Sequence, residues 1–510
     1  MTTLLDNLTS RHPYHLKNSS YWQRLSNFAA GGNAVTAKDK RDILIIPDKR
    51  REDSEIIKKR LEIMPVPSLL GSVLIRLQSH IFQDSPTFTS NGADKYWETF
   101  RLQGGRTKQG KCSFEYLLAR ACLNLLIQGS AIAQVDVPAT PNARNLAEQT
   151  AMGGREPYCF LWQRENLWDW GVSKGELTFT KTHQFSYRKE SWDSTPIPVH
   201  TLQIFQRKPD GTIISSIYEV VPKEPEHYKA QAFDLMQVPE SQVEITTVAE
   251  ETEIFHVTQN GKKIFKFPIE ILTLEGENEV LWMGNQLFSL YKAYINARTS
   301  TEWGLLTTNY SQLILQSDKP DEAELGSTGD GHYWVLGEKE RAYWLEREGK
   351  SLALGIEYSD RCKQEIIEAT ARVSAAAAMT LAYSQRQSGE SKKEDRRIEE
   401  RLAKSYGVLL REFAKGILDT AAIARGEITD WVVRGLQKFD SDSFLTDLKQ
   451  FREGSATVGS ATLDKEGKKT IASMLLTELG LSQESLATIC NEIDTDTQKA
   501  ASDKIKISTI

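Results

Sequence analysis

Val373–Ile423 reads VSAAAAMTLAYSQRQSGESKKEDRRIEERLAKSYGVLLREFAKGILDTAAI, and three signals follow one another in it. An alanine-rich patch, Ala375–Ala378, lies near the end of a helical pattern running from Glu357 to Ala382. Tyr383–Lys393, YSQRQSGESKK, then has almost no apolar content and a central Gly389, the composition of a loop. Ile398, Leu402, Tyr406, Leu409, Phe413, Ile417 and Ala421 next recur at spacings of three and four up to Gly426, one apolar stripe on a long helix with a glycine stop. Two long helices joined by a charged loop therefore organise the second half of the chain.

Toward the N-terminus a further helix is expected from near Glu277 to close to Asn309, carried by Leu287, Leu290, Tyr291, Tyr294, Ala297, Thr301 and Leu305. A polar, glycine-containing insert, Tyr310–Gly355, separates it from the helix at Glu357. In the insert Tyr333, Trp334, Tyr343 and Trp344 stand among Glu338, Lys339, Glu340, Arg341, Glu346 and Arg347, a mixture suited to subunit contacts and equally to a small local β core. Toward the C-terminus Thr429–Phe439 reads as a strand. Phe444–Phe451, Ala461–Leu479 and Gln483–Ile493 read as short helices before a polar tail from Asp494.

The first half changes character along its length. The basic stretch Lys38–Arg60, broken by Ile43–Pro47, reads as a solvated face. Leu69, Leu70, Val73, Leu74, Leu77 and Ile81 mark an amphipathic core helix after Pro67, closed by Pro86. Ser113 is a plausible N-cap for a helix through Phe114, Leu117, Leu118, Cys122, Leu125 and Leu126 to Gly129, which leads into a buried strand, Ala131–Val137. From Pro157 to Leu274 short β-rich runs take over. Thr201–Gln206 and Thr212–Val221 flank Lys208-Pro209-Asp210-Gly211, and Ile254–Val257 and Ile264–Phe267 flank Asn260-Gly261, so two hairpins are expected.

With 510 residues the chain exceeds what one hydrophobic core usually serves, so two or more packed units are expected. Its 40% hydrophobic content excludes wholesale disorder, and its longest apolar runs fall short of the roughly 20 residues of a membrane-spanning helix. Met1–Tyr14 is polar and lacks signal-peptide character, so folding in the cytosol is expected. Cys112, Cys122, Cys159, Cys362 and Cys490 are scattered without CxxC spacing, as buried or idle thiols in a reducing compartment would be. A net charge of −6 gives no global basic surface, so any contact with nucleic acid must be loose or confined to particular segments.

Chemistry-bearing motifs are weak. Gly105–Lys111 matches the first seven positions of a phosphate loop, but Cys112 replaces the required Ser or Thr, and Trp97–Gln103 is too polar for the buried strand that should precede it. No GxSxG, HExxH or HRD pattern occurs, and the eight histidines show no metal-ligand pairing. Asp494 and Asp496 lack the glycine and final glutamate of an EF-hand loop. These absences favour a scaffold over an enzyme, with no catalytic residue, cofactor or metal expected.

In its succession of segments the chain resembles the portal proteins of tailed bacteriophages. Ser113–Pro138, SFEYLLARACLNLLIQGSAIAQVDVP, is similar to the portal helix that ends in glycine before a strand with Val-Asp, and Pro157–Leu161 through Trp168-Asp-Trp170 to the β-rich stretch of one portal subgroup. Gly284–Gln316 looks like a stem helix and its exit, and Val373–Ile423 like the second stem helix, tunnel loop and long helix behind it. The resemblance implies an α+β fold: a mixed α/β wing over 1–283 (β-rich at 157–274), a stem helix at 284–309, an α/β clip at 310–355 and a second stem helix at 356–382. A tunnel loop at 383–393, a long wing helix and strand at 394–440 and a helical crown with its tail at 441–510 complete the expectation. It further implies a ring of twelve subunits at one capsid vertex of the virion, assembled in the host cytoplasm, through which double-stranded DNA is packaged and ejected. Terminase, a tail adaptor, and major capsid and scaffolding proteins would be its partners, and no membrane. Arg386, Lys392 and Lys393 would face DNA in the channel, and Tyr333, Trp334, Lys339, Arg341, Tyr343 and Trp344 would serve docking at the clip. Another head-completion or tail-adaptor protein of the virion is the main alternative, and a nuclease or ATPase with divergent motifs the second.

Overall fold

The computed structural model describes residues 3–45, 54–90, 95–138, 156–224 apart from 190 and 195, 238–276 apart from 255, 260 and 261, 279–309, 312–316, 341–345, 349–374 and 389–436, together with 148 and 235. Only the backbone is described at 95, 262, 280, 307–309, 312–316, 341–345, 349–351, 369–374 and 389–402. The chain divides into two units, Met1–Gln437 and Lys438–Ile510. The second unit, with the three short helices, the acidic pair Asp494 and Asp496, and Cys490, lies outside the described residues.

The first unit is a mixed α and β structure of the α+β kind. Its helices are α1 (Leu4–Thr9), α2 (Pro13–Ala30), α3 (Ala37–Ile43), α4 (Ser54–Ile63), α5 (Leu69–Ile81), α6 (Lys95–Gln103), α7 (Phe114–Gln128), α8 (Met283–Asn309), α9 (Gly349–Ser374) and α10 (Gly389–Arg425). α5 buries Leu70, Val73, Leu74, Leu77 and Ile81, the stripe its spacing predicts, and leaves Ile75 outside. In α7 the Ser113 hydroxyl accepts the Tyr116 N–H at 3.1 Å, and Gly129 closes the helix in the left-handed region at φ +73°. Only glycine fits at Gly129, because a Cβ there would lie 2.7 Å from the Trp282 ring.

α7 delivers the chain into β4 (Ser130–Asp136), whose residues Ser130–Val135 are all buried. β4 is an interior strand, next to the edge, in a five-stranded sheet of order β13 (Ile269–Thr273), β4, β5 (Tyr158–Trp162), β2 (Gly105–Thr107), β3 (Gly110–Cys112). β2 lies parallel to β5, Gly105 opposite Cys159, in a sheet otherwise antiparallel. A second five-stranded sheet is an antiparallel meander of β6 (Leu167–Ser173), β7 (Glu176–Arg188), β8 (Ile197–Arg207), β9 (Ile213–Pro222) and β10 (Val243–Glu253). Both expected hairpins form. β8 and β9 turn at Lys208–Thr212, with Gly211 at φ +90°, and β11 (His256–Gln259) pairs with β12 (Lys262–Phe265).

Ile132, Trp162, Leu167, Phe205, Ile213, Phe267 and Ile269 form a core joining the two sheets, and Leu5 and Leu8 of α1 pack with Trp168, Leu202, Val220 and Val243 on the meander. α10 buries Ala403, Tyr406, Leu410, Phe413, Ala414, Ile417, Leu418, Ala421 and Ala422 and ends at Gly426, φ +87°. The Tyr406 hydroxyl donates to the Leu281 carbonyl, tying α10 to the start of α8. β1 (Thr87–Ser90) pairs with β16 (Trp431–Arg434), and β14 (Gln312–Gln316) with β15 (Arg341–Leu345).

Four expectations need correction. α9 begins at Gly349, inside the stretch read as the polar insert 310–355, and not at 356 or 357. α10 begins at Gly389, so Lys392 and Lys393 stand on its first turns and not in a loop; glutamate and lysine are good helix formers whose low apolar content imitates a loop, and Glu390 complements the N-terminal end of the helix dipole. Of the stretch 429–439 expected as a strand, the described residues 429–436 are strand at Trp431–Arg434, and 437–439 lie outside the described residues. Arg60, read as part of a solvated basic face, is buried and directs Nη2 to the Ile45 carbonyl at 3.5 Å.

Candidate functional site

α8 and α9 form the pair that brackets the insert. The N-terminal half of α8 is sunk in the body: Leu287, Tyr291 and Ile295 are buried, and the Tyr291 hydroxyl donates to the Pro67 carbonyl at 2.5 Å. Asn296 clamps the passing chain, its amide nitrogen donating to the Ile43 carbonyl at 2.9 Å and its oxygen accepting from the Ile45 N–H at 2.7 Å. The C-terminal half emerges, with Leu305 and Leu306 exposed.

α9 runs back along it. A Cβ on Gly304 would lie 2.5 Å from Leu352, and one on Gly355 would lie 2.7 Å from the Thr301 hydroxyl, so positions rise on one helix as they fall on the other. The helices are antiparallel and closely approached at both glycines, although at Gly304 the neighbour is the flexible end of Leu352, which can give way. This contact also explains why α9 starts early, because Gly355, which reads as a helix breaker, is a packing position. Cys362 and Ile366 face inward, whereas Leu354 (65% exposed), Ile356 and Tyr358 (54% exposed) face solvent. Leu354 and Tyr358 lie on one flank of the line through Gly355, and Ile356 lies on the other; with Leu305 and Leu306 they are exposed apolar side chains on the described part of the helix pair.

Between the two helices, β14 and β15 pair with Leu313 opposite Trp344, Ile314 opposite Tyr343 and Gln316 opposite Arg341. Arg341 and Tyr343 therefore share one face of the ladder, and Trp344 lies on the other. Three of the six docking candidates, Arg341, Tyr343 and Trp344, are thus brought onto one strand; Tyr333, Trp334 and Lys339 lie outside the described residues. Of the channel candidates, Lys392 and Lys393 are adjacent on α10, and Arg386 lies outside the described residues. The exposed Leu354 and Tyr358, one helical turn apart, are functional candidates that sequence reasoning missed; their i, i+4 spacing was the available signal.

The strongest concentration of buried charge lies elsewhere. Arg164 sits with its guanidinium 4.7 Å from the Trp22 ring centre and 4.4 Å from that of Trp170. The carboxylate of Glu275 accepts from Trp22 Nε1 at 3.1 Å and from Arg164 at 3.4 Å. Gln128 donates to Ser26 and Glu165 and accepts from the Arg164 backbone N–H. Burial pushes the carboxyls of Glu165 and Glu275 up, His15 down to about 4 and Tyr14 up to about 12. On the meander, His183 stacks on Trp168 at 3.9 Å and meets His200 at 2.8 Å between ring nitrogens, with burial pushing His183 down to about 3. The rings of Trp22 and Trp170 enclose Arg164, and its contacts tie α2 to both sheets.

Among the described residues no cluster of three or more His, Cys, Asp or Glu is placed to hold a metal, and no helix is long and apolar enough to cross a membrane. Cys122, Cys159 and Cys362 are buried free thiols and Cys112 is half-buried; burial pushes the Cys122 and Cys159 thiols up. Gly105–Lys111 folds as the β2–β3 hairpin and not as a strand-to-helix phosphate loop. No protein-family model matches this sequence, and no curated protein matches it.

Proposed function

We propose that this chain is the repeating subunit of a tailed-phage portal, a ring at one capsid vertex that passes double-stranded DNA. One observation carries the reading: an antiparallel pair of long helices, α8 and α9, brackets an insert containing a two-stranded antiparallel ladder, and the 37-residue α10 comes next among the described elements. That order is the order of stem, clip, stem, tunnel loop and wing helix. In this reading the insert docks the terminase motor and later a tail adaptor through Arg341, Tyr343 and Trp344 with Tyr333, Trp334 and Lys339. Arg386, Lys392 and Lys393 meet passing phosphates, and the wing contacts capsid and scaffolding proteins. Exposed apolar side chains on both flanks of the helix pair, Leu354 and Tyr358 on one and Ile356 on the other, with Leu305 and Leu306, suit a contact repeated by rotation between copies, which closes into a ring.

Electron microscopy and native mass measurement of the purified full chain test the proposal. A closed ring with an axial hole, at an integral multiple of the 57.6 kDa subunit, is expected. Monomer alone across a broad range of concentration and salt would overturn it.

A further inference from the structure

The hairpin at Gly105–Lys111 is not used by the reading above. β2 and β3 pair Gly105 with Cys112, Arg106 with Lys111 and Thr107 with Gly110, at the edge of their sheet. The tip is a held turn: the Thr107 hydroxyl donates to the Gly110 carbonyl and accepts the Gln109 N–H, both at 3.2 Å. Every residue from Thr107 to Lys111 is exposed.

Charge at this hairpin runs against that of the chain as a whole, whose net charge is −6. Arg106 is engaged, with Nη1 donating to the Gln103 carbonyl at 2.8 Å and the guanidinium 5.0 Å over the Tyr158 ring. Lys108, Lys111 and Arg101, the last on the final turn of the adjoining α6, have no acidic partner among the described residues. Lys111 also stands directly across the ladder from Arg106, where like charges repel and an external anion would relieve them.

We propose that this hairpin tip, through Lys108, Lys111 and the flanking Arg101, binds the phosphate backbone of double-stranded DNA. A small phosphate ligand would need converging backbone donors, and strand pairing takes those up here. A protein interface needs an apolar centre, and Thr107, Lys108, Gln109, Gly110 and Lys111 provide none. Single-stranded nucleic acid is gripped by stacking on aromatic side chains, which the tip lacks. A duplex backbone asks only for separated cations and polar donors, and it is met without regard to sequence. Gly110, at φ +126° with nothing within 4 Å of its Cβ position, leaves the backbone open to close approach. The proposal does not depend on ring formation.

The full chain is titrated with a labelled, mixed-sequence DNA duplex over a salt series, with its assembly state measured in the same samples. Replacing Arg101→Gln, Lys108→Gln and Lys111→Gln together is expected to weaken binding at low salt at least about tenfold and to reduce the slope of log affinity against log salt by about 2 to 3. Lys108→Arg with Lys111→Arg should keep both. Neutralising Lys208, Lys263 and Lys415, which are paired with Glu251, Glu253 and Asp430, should leave the slope nearly unchanged. The proposal is overturned if the unaltered chain does not bind duplex, if the triple variant keeps the full slope, or if single-stranded DNA or polyglutamate binds more tightly than duplex.

Discussion

The Arg164 guanidinium and the Glu275 carboxylate meet at 3.4 Å with 4% and 9% of their side chains exposed, an ion pair almost fully withdrawn from water. Arg164 precedes the meander, and Glu275 follows β13 of the other sheet; the rings of Trp22 and Trp170 close over the guanidinium. One charge pair therefore ties α2 and both sheets together.

Removing one member should leave the other charged and unmatched in a low-dielectric interior. Glu275→Gln or Arg164→Met is expected to cost about 3–5 kcal/mol, and the double replacement less than the two singles together. Urea unfolding followed by tryptophan fluorescence measures this, and additive single effects would refute the coupling.

Acid should destabilise the first unit in a defined window. Burial holds His15 at about 4 and His183 at about 3, below the ordinary histidine value of 6.5, so the unfolded chain binds protons that the folded chain refuses. Stability is then fully present above pH 6.5 and is lost as pH falls toward 4, at up to about 1.4 kcal/mol per pH unit for each histidine. Glu165 and Glu275, whose carboxyls burial raises, act in the opposite sense at the acidic end of that window. Melting temperatures from pH 7.5 to 4.5 should fall steadily, and His15→Gln with His183→Gln should flatten the dependence while lowering stability at pH 7.5.

Glycine replacements inside helices should separate by what the new methyl meets. Exposed-helix propensity favours alanine over glycine by about 1 kcal/mol. At Gly407 a Cβ would lie 2.0 Å from the Leu436 carbonyl oxygen, which is backbone and has little room to yield, so Gly407→Ala should destabilise by about 1–3 kcal/mol or more. At Gly355 the obstacle is the Thr301 hydroxyl, and Gly355→Ala combined with Thr301→Ala should recover the stability that Gly355→Ala alone loses. Thermal melts of the variants check both orderings.

The exposed flank of α9 at Leu354 and Tyr358 carries the assembly prediction. Leu354→Glu with Tyr358→Glu changes only exposed positions, so melting should shift little, whereas native mass should move from ring to monomer. Retention of the ring would remove this flank from the interface.

Neutralising Arg386, Lys392 and Lys393 should leave folding and assembly intact and lower packaging efficiency or retention of packaged DNA. Because Lys392 and Lys393 lie on helical backbone, a helix-compatible replacement, Lys→Gln, is the appropriate change.

Much of the architecture was legible without coordinates because its signals are local. Leu69–Ile81 and Ser113–Gly129 carry their own stripes and caps, Lys208–Gly211 and Asn260-Gly261 their own turns, and the stripe through Phe413, Ile417 and Ala421 its own period. The positions that turn chemistry and helical period select along the chain are the same positions that tertiary packing buries. Residues far apart in sequence had to meet before the rest was decided. The parallel seating of β2 beside β5 depends on a contact that no local pattern encodes. Gly355 stands at the end of the polar insert in the linear reading yet packs against Thr301, and no local pattern marks Arg164 for enclosure by Trp22, Trp170 and Glu275. The charged run Glu390–Glu394 imitates a loop because its composition lacks apolar residues, although the backbone there is helical. Residue type and spacing set which segments become helix or strand; burial of glycine contacts and of one charge pair, available only in the folded chain, set where those segments begin and what holds them together.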